Sequence, residues 1–281
     1  MTTLSKAKSS TNKQTIPKNS PSGLFLCYNQ NMKIVVPELN NPVVKEAVKN
    51  FSEVEFLPAD GLNEAVKMLN DNQADSMVSG IDYPSRDVVI ACKNYLELSS
   101  DYFSSCFICQ KGEQTLALAD GGINKLPTKE QLYCIVEDTA KTFKNYTGDQ
   151  PIIAMLSYST NGSGGKNPDL EKIHFVIDEI RKNHPDYIID GEMQLDAAIN
   201  PEISQKKFPN STVQGKANVL ITPDLNSGNI FYKSLERFGG FICAGPIIQG
   251  FKTPLADLSR GSTTKDVELT LKVIIKQLER S

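Results

Sequence analysis

Arginine is scarce in this 281-residue chain. It occurs only as Arg86, Arg181, Arg237, Arg260 and Arg280, and lysine supplies the other 25 of 30 basic residues. Solvated positive charge is thus left to lysine. An arginine set in a loop is informative, because its planar fork matches phosphate or carboxylate oxygens in a way lysine does not. Histidine is scarcer still. His174 and His184 stand ten residues apart and share a helical face poorly, which disfavours a Ser-His-Asp triad or a histidine metal site. Both read as solvated or capping side chains. No apolar run reaches the roughly 18 residues needed to cross a bilayer. The formal net charge of −3 offers nucleic acid no electrostatic footing. Six cysteines are scattered, with one C-x-x-C at Cys106 and Cys109 and no second to complete a zinc site. On a strand those two point to opposite faces, so all six read as reduced core thiols of a cytosolic protein. No acidic residue precedes Glu38. The Ser/Thr/Asn/Lys-rich residues 1–33 read as a disordered tail, with the apolar Gly23–Tyr28 inside it. There is no repeat of 20–50 residues.

Strand and helix signals alternate from Met32 onward. "MKIVVPE", "EVEFLPA" and "SMVSG" read as short buried strands, separated by helical spacing over 41–51 and 61–72. A helix follows with Pro84 near its first turn, then "FSSCFICQ" and "TLALADGG" as strands paired across "KGE". A second series begins at Pro127. Helices over 128–146 and 167–185 alternate with the strands "PIIAMLSYS", "YIID" and "NVLITPD"; a helix closed by Gly239 and Gly240 and the strand "FICAGPIIQ" come next. The last helix spans 266–280, with Val267, Leu271, Ile274, Ile275 and Leu278 on one face. This alternation predicts an α/β fold built on a mainly parallel, helix-covered sheet.

Several loops carry candidate chemistry. "SYSTNGSGG" (157–165) joins a strand to a helix, where exposed backbone N–H groups suit phosphate. It is neither a Walker A loop nor a correctly spaced G-x-G-x-x-G, so a plain turn is an even alternative. Asn226, Ser227 and Gly228 open a helix and form a second candidate anion site. "GPIIQG" (245–250) ends a strand with close backbone approach. Asp190, Glu192 and Asp196 cluster after a strand; metal or acid/base work competes there with capping and pairing to lysines. In "DLSRGSTTKD" (257–266) an arginine sits between a serine and a glycine, and an aspartate stands in the first turn of the last helix.

Together these segments resemble the phosphate acetyltransferase/phosphate butyryltransferase family. The resemblance runs from about Ala74 to Asp266 through "ADSMVSG", "ALADGGIN", "AMLSYSTNGSG", "DGEMQLDAAI", "KANVLITPDLNSGNIFYK", "GPIIQG" and "DLSRG", in that order. "GPIIQG" followed by "DLSRG" looks more like the acetyl branch. The resemblance implies two α/β/α domains with a cleft between them, of the isocitrate/isopropylmalate dehydrogenase-like fold. By analogy 34–127 plus 244–281 form domain I and 128–243 domain II. It also implies a cytoplasmic homodimer that moves an acetyl group reversibly between coenzyme A and inorganic phosphate, making acetyl phosphate. Coenzyme A enters as a substrate, and no metal or cofactor is implied.

By the same resemblance Asp266 is the base for the thiol, Arg260 holds the acyl phosphate and Ser259 stabilises the transition state. Ser159, Thr160, Gly162, Ser163, Gly164, Asn226, Ser227, Gly228 and Gly250 are expected to bind substrate or phosphate. The family arginine on the helix after "VSG" is matched by Ile90, and Arg86, one turn earlier on the same face, is the candidate substitute. A preference for longer or branched acyl groups stays open, as does a non-catalytic binder of coenzyme A or acyl phosphate.

Overall fold

Val35 and Ile34 point to opposite sides of the first strand, and each belongs to a different hydrophobic cluster. The same alternation recurs along a sheet of ten strands, described for residues 32–280 by a computed structural model. In chain order the elements are β1 (Met32–Val35), α1 (Pro42–Ala47), β2 (Val54–Leu57), α2 (Leu62–Asn70), β3 (Ser76–Ser79) and α3 (Ser85–Tyr95). The hairpin β4 (Ser104–Lys111) and β5 (Gln114–Ala119) follows, then α4 (Lys129–Thr147), β6 (Ile152–Leu156), α5 (Pro168–Asn183) and β7 (Ile188–Met193). The chain continues through α6 (Leu195–Ile199), α7 (Pro201–Lys207), β8 (Val219–Ile221), α8 (Leu225–Arg237), β9 (Ile242–Gln249), β10 (Leu255–Asp257) and α9 (Thr264–Leu278). The expected tail ends differently: Met32 and Lys33 already belong to β1, and residues 1–31, with Gly23–Tyr28 and Cys27, lie outside the described residues.

The strand order is β2-β1-β3-β10-β9-β4-β5-β8-β6-β7. Six of the nine neighbouring pairs are parallel, so the expectation of a mainly parallel sheet holds for the flanks. The centre, β10-β9-β4-β5, is antiparallel. Helices α1, α4, α5 and α9 bury their apolar stripes on one face. On the other, α2 and α3 cover one end, α8 the middle and α6 the far end. The result is one continuous sheet covered by helices on both faces. Thr128 and Gln131 start α4 with a capping box, as the sequence predicts.

Two features depart from the sequence pattern. β10 has three residues, too few to show a period, and it lodges between β3 and β9. The cysteines also need correction. Cys106 and Cys109 do face opposite sides, but Cys109 lies directly opposite Cys243 in the β4–β9 register, with Cα atoms 4.1 Å apart, and the two are joined as a disulfide. That juxtaposition is made by strand pairing across 134 residues, which spacing in the sequence does not reveal. Cys92, Cys106 and Cys134 are free and buried. Among the described residues no helix is long and apolar enough to cross a membrane.

Candidate active site

β3 and β10 run side by side and end together, Leu258 N–H donating to Ser79 O at 2.5 Å. The chain then turns sharply: Ser262 N–H donates to Ser259 O and Gly261 N–H to Ser259 Oγ. Across from this turn lie Gly121 and Gly122, just past β5, and one face of α8. A cleft of about 410 Å³ opens between them. Its floor is Pro246 and the stacked rings of Phe107 and Tyr232, 3.7 Å between centroids. Gly80, Tyr83 and Ser85 complete one wall.

The charge in this cleft is one-sided. Lys233, Arg237 and Arg260 line it, and none of the described lining residues carries a carboxylate. Arg237 Nη2 lies so near the backbone of Gly261 that a Cβ there would meet it at 3.3 Å, which brings the two arginines to one turn. Clefts lined by one sign of charge concentrate counter-ions, and a pair of guanidinium forks suits a phosphate. Ser259 adds a hydroxyl donor.

Asp266 stands just behind, at the third position of α9. Its Oδ2 accepts from both the N–H and the hydroxyl of Thr263, each at 2.7 Å, in a capping box. Glu236 of α8 is close by: burial raises its pKa and the charge of Asp266 raises it further, against Arg237 and Lys233. Ser259 and Arg260 therefore line the cleft, whereas Asp266 does not; it opens the next helix, close enough to Glu236 of α8 for its charge to be felt there.

Other expected site residues are held elsewhere. In the 157–165 loop the donors turn inward onto Glu192, which is 1% exposed. Glu192 accepts from Ser159 Oγ and Gly162 N–H at 2.8 Å each and meets His174 Nε2 at 2.5 Å. Burial alone would raise the Glu192 pKa, but these donors together carry it below the usual carboxylate range. Gly164 N–H donates to Ser159 Oγ and Thr160 N–H to Ser163 Oγ, so a carboxylate sits where the sequence suggested a phosphate. Ser159, Thr160, Gly162, Ser163 and Gly164 are absent from the cleft lining. His184 caps α5, while His174 is anchored on Glu192. Asp190 pairs with Arg181 and Asp196 with Lys207, the structural reading of that cluster.

At the start of α8, Asp224 caps the helix by accepting from Ser227 N–H and Ser227 Oγ, and Asn226 is exposed. Gly228 is a packing position, for a Cβ there would collide with the backbone oxygen of Asp120. Helix propensity alone would favour alanine by about 1 kcal/mol. The clash is with backbone that cannot yield, so Gly228→Ala is expected to cost a net 1–3 kcal/mol or about that, read from denaturant unfolding. Gly250 lies at the other end of β9, where its carbonyl accepts from Ser99 and Ser100 N–H. Arg86 and Ile90 are both exposed on α3, and only their neighbours Tyr83 and Ser85 reach the cleft.

What sequence reasoning missed is the cleft-facing side of α8: Asn229, Tyr232, Lys233 and Arg237. The signal was there. Positions 229, 233 and 237 recur every four residues after a glycine-containing helix start, which places them on one face.

The family pattern described as phosphate acetyl/butaryl transferase matches residues 42–275. The phosphate acetyltransferase of Clostridium acetobutylicum is 38% identical over 234 residues, covering 80% of this chain and 70% of that protein. That of Treponema pallidum is 36% identical over 228 residues, covering 78% and 68%. Among solved structures, a phosphotransacetylase from Streptococcus pyogenes superposes with a TM-score of 0.81 at 30% identity, covering 90% of this chain and 95% of that one. A putative 4-hydroxythreonine-4-phosphate dehydrogenase from Salmonella typhimurium shares the fold alone, with a TM-score of 0.54 at 8% identity over 88% of this chain and 99% of that one. With the family pattern running from the first helix into the last, the chain belongs to the phosphate acetyl/butaryl transferase family.

Proposed function

We propose that this chain catalyses reversible transfer of an acetyl group between coenzyme A and inorganic phosphate, in the cleft between α8 and the Ser259–Arg260 turn. The observation that carries the reading is the cleft's charge: three cations and no lining carboxylate among the described residues, with an aspartate in the first turn of the helix that follows the Ser259–Arg260 turn. Asp266 takes the thiol proton. A thiol of pKa about 8.5 is only a few per cent thiolate at neutral pH, so a base raises the reactive fraction. The thiolate sulfur then attacks the carbonyl carbon of acetyl phosphate. The Ser259 hydroxyl donates to the oxyanion that forms. As the oxyanion collapses, the C–O bond to phosphate breaks and phosphate leaves with the electron pair, its charge met by Arg260 and Arg237.

The two domains assigned to this activity are 34–127 with 244–281, and 128–243. A cytoplasmic homodimer completes the proposal, checked by the mass of the species in solution. Phosphate-dependent release of free thiol from acetyl-CoA tests the reaction, with propionyl- and butyryl-CoA run alongside. Acetyl-CoA is expected to give the highest kcat/KM. A higher value with butyryl-CoA would reassign the acyl group. No release from any donor, with coenzyme A still bound, would overturn the enzymatic reading.

A further inference from the structure

Behind the β3–β10 wall of the cleft, three buried polar atoms have no hydrogen-bond partner among the described residues: Glu38 Oε2, Ser79 Oγ and Asp257 Oδ1. Their residues are 7%, 0% and 1% exposed. Two of these residues, Glu38 and Asp257, lie against Gly80. Glu38 Oε1 accepts from Gly80 N–H at 2.7 Å and from Asp82 N–H at 3.4 Å. Asp257 Oδ1 occupies the space that a Cβ on Gly80 would need, and Gly80 has a φ of +105° that also favours glycine. Asp257 is two residues before Ser259, and Gly80, Leu258, Ser259 and Arg260 all line the cleft.

From α3, Ser85 donates toward Asp257 and the Cys92 thiol feels its charge. From the turn after β3 come Asp82 and Tyr83, both coupled to Glu38. Among the described residues neither Glu38 nor Asp257 pairs with a lysine or arginine. Two buried carboxylates without a cation cannot both ionise cheaply. Burial pushes Asp257 up to about 7, with Ser85 opposing and the charge of Glu38 adding. Burial also raises Glu38, against the N–H donors of Gly80 and Asp82.

We propose that Glu38 and Asp257 are an electrostatically linked positioning pair: with Asp257 protonated they hold the Ser259–Arg260 turn in its phosphate-binding form, and loss of that proton loosens it. The inference rests on the assignment of phosphate to this cleft. On ionisation the carboxyl O–H bond of Asp257 breaks and the proton passes to water. A second negative charge then appears beside Gly80, repels Glu38 and opposes the phosphate. Because the folded pKa of Asp257 is raised, the stability it contributes is fully present below the unfolded value of about 3.9 and is lost as pH rises through about 7.

The test measures the Kd for inorganic phosphate by calorimetry, and Tm, at pH 5.5, 7 and 8.5 for the wild-type chain, Asp257→Asn and Glu38→Gln. Asparagine keeps the shape and stays neutral. The ratio of wild-type to Asp257→Asn Kd is expected to rise about fivefold from the lowest to the highest pH, following the added buried charge. Phosphate's own ionisation is common to both proteins and cancels in the ratio. The Tm of Asp257→Asn is expected to exceed that of wild type most at pH 8.5. A ratio flat within about twofold overturns the pair, as does an equal loss of affinity at every pH. Should Asp257→Asn not fold, Glu38→Gln decides. Its amide oxygen still accepts from Gly80, and removing its charge is expected to move the wild-type midpoint to lower pH; an unmoved midpoint overturns the proposal. Acetyl transfer measured in parallel separates the two readings. Phosphate binding with the expected profile but no turnover refutes the reaction alone, turnover with a flat ratio refutes the pair alone, and no phosphate binding refutes both.

Discussion

Arg260→Ala is expected to lower kcat for acetyl transfer at least about a hundredfold, the usual scale for removing a donor that meets transition-state charge. Arg260 is exposed in the cleft and its side chain makes no hydrogen bond to any of the described residues, so its removal costs little stability and the loss reads as chemistry. Arg237 and Lys233 remain in the mutant and keep the cleft positive. Lys233 offers only a point charge, and Arg237, which already reaches the turn, leaves one fork where the wild type has two. For the same reason Arg260→Lys is expected to recover only part of the rate, since a point charge lacks the bidentate geometry. The measurement is steady-state kinetics in both directions, with Tm as the folding control. Turnover within a few-fold of wild type in Arg260→Ala would place the anion on Arg237 instead.

Asp266→Asn is expected to lower kcat by about a hundredfold or more while leaving stability nearly unchanged. Two roles meet in this side chain, and the substitution separates them. As a cap, Asp266 Oδ2 accepts twice from Thr263. The amide oxygen of asparagine can still accept these bonds, so the first turn of α9 survives. As a base, the carboxylate must take a proton from sulfur, which an amide cannot do. Asp266→Ala removes both roles, and its further cost of about 1 kcal/mol in unfolding free energy measures the cap alone. Normal turnover in Asp266→Asn would leave Asp266 a structural residue. Glu236, whose pKa is raised by burial and by Asp266 itself, would then be the next carboxylate to test.

Wherever a local pattern was long enough, the elements were legible. The alternation of helical and extended periods located nearly every strand and helix, because apolar spacing is what a buried face requires. The closeness of Ser259, Arg260 and Asp266 was legible too, since the three fall within one short loop and helix start. The binding loops were less so. Exposed-looking donors in 157–165 are consumed by Glu192, which lies some thirty residues further along. A glycine-rich turn looks the same in sequence whether its N–H groups hold a carboxylate of the protein or a phosphate from solution.

By itself, then, the sequence determined the α/β class, the alternating elements and which polar residues gather within single loops. These depend on neighbours in the chain, whose spacing is set by the 3.6- and 2-residue periods. Only the tertiary structure decided what strand pairing brings together. It set β10 between β3 and β9, laid Cys109 against Cys243, brought Lys233 and Arg237 into one cleft with Arg260, and placed both Glu38 and Asp257 against Gly80. Such contacts join residues tens to hundreds of positions apart, and no local period records them.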